Sequence, residues 1–583
     1  MIHYRVEIDD LNSHHYRVTL TVPQPAAQQV VSLPVWINGS YMVREFGRHL
    51  SALTARQGRR SVALQQLDKT SWMADCSAGG RSSAALVLSY RVYAFDSSVR
   101  AAFLDSRRGF FNNTSLCLRV HGREADPHRL ALGRLPRGWE VATAMPAAAD
   151  GTALAYEAAD YGELVDHPFE LGSFWRGSFQ AGGVPHTVVV AGALPGFDGA
   201  RLLADAQRIC AAQIAFWHGE DGSAAPFQRY VFLLNAVEDG YGVLEHRAST
   251  ALIAARRDLP RARMDGIPDG YLTLLGLISH EYFHTWNVKR LKPADLAVLD
   301  WQRENHTELL WFFEGFTSYY DELMLRRCGL IDAARYLRLL AKAVNAVAAT
   351  PGRQVQSVAQ ASFDAWVKYY RADENTPNAT VSYYLKGALV ALCLDLTLRQ
   401  RGRSLDAVMR GLWQRSGGGP ITEADIADVL ARVAGRRLDT ELQAWVHGTG
   451  DLPVAELLAT LGVDARPEPA ALAASLGLRL SEGPVTGVVV KSVLAGSAAM
   501  RAGVSAGDEL LAVDGWRIRR LDDALAWIDR GLPFSLLLVR DQQVLTLVVQ
   551  PQAATPQAAA STLLLQVAPP KAVAARRRAW LDA

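Results

Sequence analysis

The sequence predicts a multidomain α+β protein. Its 583 residues exceed what one hydrophobic core usually holds, so three or four domains are expected. Short runs of β-branched and aromatic residues, separated by turns, fill residues 1–165, whereas long helical patterns dominate from about 270 to 455. A compact strand–turn–helix–strand order follows over 475–550. These changes of pattern divide the chain into an all-β part, a mainly helical α+β part and a small further domain.

The first region, 1–165, is expected to form a β-sandwich. Its strand-like segments are partly alternating and are separated by turn-rich pieces such as NGS and DSRRG; they are HYRVEI, YRVTLTV, AALVLSYRVYAF and SLCLRV. No catalytic spacing is visible in this region. We therefore expect it to be a scaffold and not part of an active site.

The second region, 166–455, begins where the pattern changes at Asp166, His167 and Pro168. Strands HTVVVAG and YVFLLNAV are followed by helical patterns such as YLTLLGLISHEYFHTW and TELLWFFEGFTSYYDELMLRR. This order predicts an α+β domain whose helical part carries the chemistry.

A third domain is predicted over 466–552, where Pro467, Glu468 and Pro469 mark a break. The tail, 553–583, starts within PQAATPQAAAS, which is too poor in apolar residues to fold alone. Its last part, VAARRRAWL, is expected to form a short docked helix.

Composition and charge argue against several classes of function. The formal net charge is +2, so no nucleic-acid partner is expected, and Arg576-Arg577-Arg578 is interpreted as a solvated helix face. The N-terminus lacks a signal-peptide pattern and no run of about 18 apolar residues occurs, so we expect no membrane association. Five scattered cysteines without a CxxC pair indicate free thiols and a cytoplasmic protein.

The segment HEYFH at 280–284 predicts a metal site. His280 and His284 are four residues apart in a helical pattern and project from one face, where two imidazoles can bind one Zn²⁺ at about 2.0–2.1 Å. Glu281, one step round the helix, can stay off the metal and act as a general base toward water. A buried histidine pair that binds no metal is the alternative.

A catalytic zinc needs a third protein ligand and an open position, and Glu314 is the candidate. It lies in the otherwise apolar stretch WFFEGF, where a carboxylate must be paired or bound to a metal, so a buried ion pair is the alternative. Asn305 and Glu308 are expected to cap the helix that contains Glu314. The residues on roughly the same helix face that could orient the histidines are Thr317, Ser318 and Asp321.

At these residues the sequence resembles the gluzincin aminopeptidases, and more closely the glycyl aminopeptidase family of PDZ-bearing zinc metallopeptidases. The resemblance rests on HEYFHTWNVKRLKP at 280–293, WFFEGFTSYYDELML at 311–325 and PVWINGSYMVREFGRHL at 34–50. It implies a thermolysin-like, mainly helical catalytic domain and one Zn²⁺ per chain.

Two further segments resemble that family. GYGVLEH at 240–246 implies that Glu245 binds the α-ammonium of the substrate, while a surface glutamate at a strand edge is the alternative. SYYLKGALVAL, from 382, implies that Tyr384 donates a hydrogen bond to the oxyanion. Its neighbour Tyr383, or a packing role for either tyrosine, is the alternative there.

Residues 466–552 contain a segment that resembles a PDZ domain, with AGVSAGDELLAVDG at 502–515 as its strongest signal. The resemblance implies a carboxylate-binding loop formed by Leu476, Gly477 and Leu478, which could bind a C-terminal peptide through backbone N–H groups. All candidate residues for hydrolysis lie before 455, so we expect the PDZ domain to be dispensable for cleavage of small substrates.

Taken together, the resemblance implies a zinc aminopeptidase that removes small N-terminal residues, Gly or Ala, from peptides with a free N-terminus. The alternative enzyme is an endopeptidase whose PDZ domain recruits protein C-termini. A non-enzymatic scaffold with a structural zinc is disfavoured, because structural sites are usually closed by four ligands, often cysteines, and no cysteine lies in these motifs.

Overall fold

The computed structural model describes residues 1–37, 39–77, 84–219, 225–551 and 560–582. Contacts divide the chain into two compact units, Met1–Lys292 with Leu296–Asn305, and Pro293–Asp295 with His306–Ala583. In the described part of the chain, no helix is both long and apolar enough to cross a membrane. Most of the predicted unfolded segment PQAATPQAAAS lies outside the described residues.

The first unit begins with a β-rich domain, which confirms the predicted fold class. In chain order its elements are β1 (Ile2–Asp10), β2 (His15–Val22), β3 (Gln28–Ser32), β4 (Leu50–Gln57), β5 (Arg60–Ser61), β6 (Leu64–Gln66), β7 (Ser71–Asp75), β8 (Leu86–Tyr93), β9 (Ala102–Leu104), β10 (Arg108–Phe111), α1 (Asn113–Leu116), β11 (Arg119–Val120), β12 (His128–Leu132), β13 (Glu140–Ala142), β14 (Ala155–Ala158), α2 (Tyr161–Val165) and β15 (Phe169–Gly172).

These strands form a seven-stranded sheet, β14-β12-β1-β2-β8-β4-β5, and two four-stranded sheets, β13-β15-β10-β9 and β11-β3-β7-β6. Inward-facing residues of the three sheets share one apolar core, because side chains alternate between the two faces of each strand. Tyr4 and Tyr90 lie inside this core, and each phenol donates a 2.7 Å hydrogen bond to a backbone carbonyl. Both buried hydroxyls are therefore satisfied.

The rest of the first unit is a sheet with two long helices. Its elements are β16 (Trp175–Ala181), β17 (Val184–Ala191), α3 (Gly199–His218), β18 (Tyr230–Val237), β19 (Gly242–Glu245), β20 (Ser249–Ala255) and α4 (Asp269–Phe283). The strand order is β16-β17-β18-β20-β19, parallel in the centre and antiparallel at both edges. The edge strand β19 packs against α4, the helix that carries HEYFH.

The second unit begins with a helical part, as the sequence predicts. Its helices are α5 (Leu310–Arg327), α6 (Ala333–Ala348), α7 (Val358–Phe363), α8 (Thr376–Ala379), α9 (Tyr383–Arg399), α10 (Leu405–Ser416), α11 (Glu423–Ala434), α12 (Asp439–Leu442) and α13 (Val454–Ala459). A π-helical turn, Ala365–Tyr370, follows α7.

Helix α5 starts later than the predicted capping pair would place it. Leu309 is the N-cap and has no side-chain capping bond. The hydroxyl of Thr307 accepts a hydrogen bond from the Leu309 N–H instead, while Asn305 bonds to the loop at 300–303. The capping prediction was wrong because Asn305 closes the preceding loop and so is not available to the helix.

Helices α5 and α9 cross at very short range through two glycines. A Cβ atom added to Gly315 would lie 2.6 Å from the Cα of Gly387, and one added to Gly387 would lie 2.5 Å from the carbonyl oxygen of Trp311. Backbone atoms cannot yield as a flexible side chain can. The glycines of the EGF and KGA segments are thus required by this helix contact.

The remaining elements of the second unit are strands and short helices. They are β21 (Val463–Glu468), α14 (Leu472–Leu476), β22 (Leu478–Gly483), β23 (Gly487–Val493), α15 (Ala498–Ala502), β24 (Glu509–Val513), β25 (Trp516–Arg517), the 3-10 helix Leu521–Ala526, β26 (Phe534–Arg540), β27 (Gln543–Val549), β28 (Ala560–Leu565) and α16 (Lys571–Leu581). Strands β22 to β27 form one sheet around its own apolar core. Strand β28, which the sequence pattern did not predict, pairs with β21 and orders Pro467 and Glu468.

The predicted terminal helix exists and docks on the helical part. Trp580 of α16 is fully buried, and its indole N–H donates to the Tyr319 hydroxyl of α5 at 2.9 Å. Tyr319 in turn donates to Asp395 of α9 at 2.6 Å, and Arg399 pairs with the same carboxylate at 2.8 Å. The basic run is engaged in part, since Arg576 donates to the Thr460 carbonyl.

The glycine crossing predicts opposite effects for two Gly→Ala variants. Gly387→Ala should lower the free energy of unfolding by about 1–3 kcal/mol, as overpacking of a close contact does. Gly276→Ala in α4 is the control, because nothing lies within 4 Å of its added methyl group. That variant should raise stability by about 0.5–1 kcal/mol. Urea unfolding measures both, and a stabilising Gly387→Ala would contradict the close crossing.

Candidate metal centre and active site

The end of α4 brings three potential metal-binding side chains together. The Nε2 atoms of His280 and His284 are 3.0 Å apart, with ring planes at 85°. Two nitrogens at this separation and at about 2.0–2.1 Å from one ion subtend roughly 95°, which a four-coordinate ion can accept. A carboxylate oxygen of Glu281 lies within 4.8 Å of both nitrogens, close enough to act on water at the metal site.

The orientation of His284 is set by a backbone carbonyl. Its Nδ1 lies 2.7 Å from the carbonyl oxygen of Asn287. A carbonyl only accepts, so Nδ1 carries the proton and Nε2 keeps its lone pair, directed at the other histidine. The donor set therefore fits a zinc ion. The proposed helix partners are not needed for His284, and the Thr317 hydroxyl donates to the Phe313 carbonyl of its own helix at 2.7 Å.

A buried ion pair fixes the segment that follows α4. Lys289 Nζ lies 2.8 Å from Asp166 Oδ1, and the backbone N–H of Arg247 donates to the other carboxylate oxygen at 2.9 Å. Burial alone would raise the pKa of Asp166, but Lys289 and the neighbouring His246 hold it well below its usual range. The pair ties the backbone next to His284 to the residues that follow Glu245.

Glu245 ends strand β19 and is only 4% exposed, so it is not a surface glutamate. A turn of the β-rich domain lies directly on its carboxylate. Gly39 in that turn has φ +92°, and a Cβ atom there would lie 1.9 Å from Oε1 and 2.6 Å from Oε2. The guanidinium of Arg44 donates to the Ser40 hydroxyl and helps to hold the turn.

The contact between Gly39 and Glu245 brings the β-rich domain, which we expected to be only a scaffold, against a predicted substrate-binding residue. The signal was present in PVWINGSYMVREFGRHL, one of the segments that carry the family resemblance. It has no catalytic spacing, because a glycine contributes to a site through its backbone. Spacing rules for side chains could not detect it.

In the second unit, α5 and α9 bring Glu314 close to a cluster of tyrosines. Glu314 is 2% exposed, and Tyr384, in the first turn of α9, is half-buried. Burial raises the pKa of Tyr384 well above its usual range, and the Glu314 carboxylate raises it further, so the phenol remains a donor. Tyr383 is fully buried, whereas Tyr384 lies 3.2 Å, oxygen to oxygen, from the hydroxyl of Tyr370.

In the PDZ-like sheet, the predicted carboxylate loop lies at the junction of α14 and β22. Leu476 ends α14, Gly477 has φ +75°, and Leu478 begins β22. The N–H of Gly477 donates to carbonyls of α14, and both leucines are buried. Peptide binding by this loop stays a prediction, and it requires the Gly477 N–H to leave the helix end.

Comparisons with known proteins agree on one family. The sequence model of the M61 glycyl aminopeptidase family matches residues 273–390, that of the M61 N-terminal domain matches 3–173, and that of a PDZ domain matches 489–540. A solved aminopeptidase N family protein from Idiomarina loihiensis is 35% identical, with 100% of each chain covered and a TM-score of 0.92. No curated protein sequence matches.

A weaker likeness is to an M1 zinc metallopeptidase from Deinococcus radiodurans. It is 16% identical, with 78% of this chain and 94% of that chain covered and a TM-score of 0.48. At this level the likeness contributes nothing to the assignment.

The match to a glycyl aminopeptidase family, together with a histidine pair that fits zinc, defines the class of the protein as a zinc metallo-aminopeptidase. The chain belongs to the M61 glycyl aminopeptidase family.

The contact at Glu245 predicts a specific defect in Gly39→Ala. The new methyl group must displace either the carboxylate or the turn, so kcat/KM for free aminoacyl substrates should fall about 10-fold or more. Gly122→Ala is the matched control, because Gly122 has φ +80° and nothing lies within 4 Å of an added Cβ. It carries the same backbone strain without the clash. Equal activity of the two variants would contradict a role for the turn.

Proposed function

We propose that the enzyme releases small N-terminal residues, Gly or Ala, from peptides with a free N-terminus, and that it works in the cytoplasm. In this proposal His280, His284 and Glu314 bind the zinc ion, Glu281 is the general base, and two residues contact substrate. Those two are Glu245, which binds the α-ammonium, and Tyr384, which donates to the carbonyl oxygen.

The observation that carries the proposal is the buried carboxylate of Glu245 beneath the Gly39 turn. An exopeptidase must stop the substrate one residue beyond the scissile bond. A buried carboxylate offers a charged contact to an ammonium, and the Gly39 turn packed on it limits the space around that contact. The preference for Gly or Ala rests on the family resemblance.

When bound, zinc polarises the scissile carbonyl and makes water easier to deprotonate. Glu281 takes the proton of the attacking water and passes it to the leaving amine. The Tyr384 phenol, which burial and Glu314 keep protonated, donates to the carbonyl oxygen as negative charge develops there. Glu245 holds the α-ammonium and so fixes which peptide bond is cleaved.

The alternative is an endopeptidase whose PDZ domain recruits protein C-termini, with Glu245 outside the reaction. A panel of aminoacyl chromogenic substrates, with and without chelator, tests the residue preference. Comparison with internally cleavable, N-acetylated peptides separates the two enzymes. Faster turnover of the blocked peptides would favour the endopeptidase.

The Glu245 assignment predicts a coupling between enzyme and substrate. Glu245→Ala should lower kcat/KM for free aminoacyl substrates by about 10–150-fold, the value of a hydrogen bond to a charged group. N-acetylation of the substrate should lower kcat/KM of the wild type by at least as much. It should lower kcat/KM of the variant only a little, because the variant no longer has the carboxylate that binds the ammonium. The control is Glu238→Ala, which removes an exposed carboxylate before the same strand. If the losses from Glu245→Ala and from N-acetylation are additive, Glu245 does not bind the ammonium.

The assignment of Glu281 as general base predicts that its substitution lowers activity without lowering the zinc content. Glu281→Gln should keep one zinc per chain, because Glu281 is not a ligand, and should lose about 10²-fold or more in kcat. His284→Ala should lose both zinc and activity. Elemental analysis of the purified proteins measures the zinc content, and steady-state kinetics measures kcat. A metal-free or fully active Glu281→Gln would refute the role.

A further inference from the structure

One asparagine joins the PDZ-like domain to the helical part of the second unit. The amide of Asn378 in α8 donates to the Val493 carbonyl at 2.9 Å and accepts from the Ala495 N–H at 2.8 Å. The side chain thus pairs with the backbone as a neighbouring strand would. Arg479 of β22 adds a second link through the Thr350 hydroxyl at 3.0 Å.

The turn that Asn378 holds, residues 493–497, also packs on the predicted carboxylate loop. The N–H of Leu494 donates to the Gly477 carbonyl at 2.8 Å, and a Cβ atom on Gly477 would lie 2.1 Å from the Cβ of Ser497. One turn therefore contacts both Gly477 and Asn378.

On its other side, Asn378 belongs to the segment 371–382, which connects Tyr370 to the start of α9. The phenols of Tyr370 and Tyr384, one before and one after this segment, are 3.2 Å apart. The Thr380 hydroxyl donates to the Gln356 side chain at 2.5 Å, and a Cβ on Gly352 would lie 2.1 Å from the Thr380 carbonyl oxygen. The second half of the segment is packed closely, because Pro377, Thr380 and Val381 are buried. A shift at Asn378 is therefore transmitted to the start of α9.

We propose that Asn378 is a positioning residue for Tyr384, through which the PDZ domain holds the oxyanion donor in place. This inference rests on the proposed role of Tyr384. It replaces the sequence-based expectation that the PDZ domain is dispensable for small substrates. The PDZ domain could then regulate turnover. A peptide bound at Gly477 would shift the turn 493–497, to which Asn378 is hydrogen-bonded, and so would move Tyr384.

The test compares Asn378→Ala with Asn345→Ala in the full-length, zinc-loaded enzyme. Asn345 of α6 makes the same pair of bonds to the backbone of Ser561 in β28, at 3.0 and 2.8 Å, away from the tyrosines. Asn378→Ala should lower kcat for a small aminoacyl substrate by about 10–100-fold, as misplacement of a catalytic group does. KM should change little, and Asn345→Ala should keep wild-type kcat.

A second readout does not depend on activity. Amide hydrogen exchange over 376–382, the packed part of the segment, should rise in Asn378→Ala and not in Asn345→Ala. Combining Asn378→Ala with Tyr384→Phe should give no further loss of kcat beyond that of Tyr384→Phe, since the group being positioned is gone. Wild-type kcat in Asn378→Ala, an equal loss in Asn345→Ala, or full additivity with Tyr384→Phe would each overturn the inference. If Tyr384→Phe alone retains full activity, the proposed function of Tyr384 fails, whatever the exchange result.

Discussion

The contact of α5 and α9 through Gly315 and Gly387 is the constraint on which the second unit depends. Each helix carries a chemical group within one turn of its glycine, Glu314 on α5 and Tyr384 on α9. Because backbone meets backbone at this crossing, the main-chain positions from which the two side chains extend are fixed relative to each other. The rotamers of Glu314 and Tyr384 then place the carboxylate and the phenol from a rigid base, which suits a site that must be preorganised.

Each of the two units contains a buried ion pair, and the carboxylates of the two pairs have different further partners. In the first, Asp166 and Lys289 neutralise each other beside the metal-binding segment, and a backbone N–H satisfies the second carboxylate oxygen. In the second, Asp395 accepts from Tyr319 and pairs with Arg399 at the back of α5. Breaking such a pair costs about 3–5 kcal/mol, because the remaining charge is left uncompensated. Each cluster therefore favours one arrangement of the elements within its own unit.

Much of this architecture could be predicted from the sequence, and the reasons for success and failure differ by element. Period-2 and period-3.6 patterns report which face of a segment is buried, so the β-rich domain, α4 and α5 were predicted. The HExxH spacing fixed the histidine pair because one helical turn fixes its geometry. The Gly39 contact, Asn378 and the partner of His284 could not be predicted, since each depends on a backbone group or a distant segment that no local pattern encodes. The same holds for β28, whose partner β21 is about 100 residues away and follows no turn signal.

The docking of α16 has a consequence for how the chain is made. Tyr319 and its partner Trp580 are 261 positions apart. At a synthesis rate of about 5–20 residues per second, roughly 13–52 s pass between the emergence of α5 and the arrival of the indole that completes its packing. During that interval Tyr319 can bond to Asp395 but lacks the buried indole that packs on it in the finished chain. The helix bearing Glu314 therefore reaches its final packing only after α16 has been synthesised.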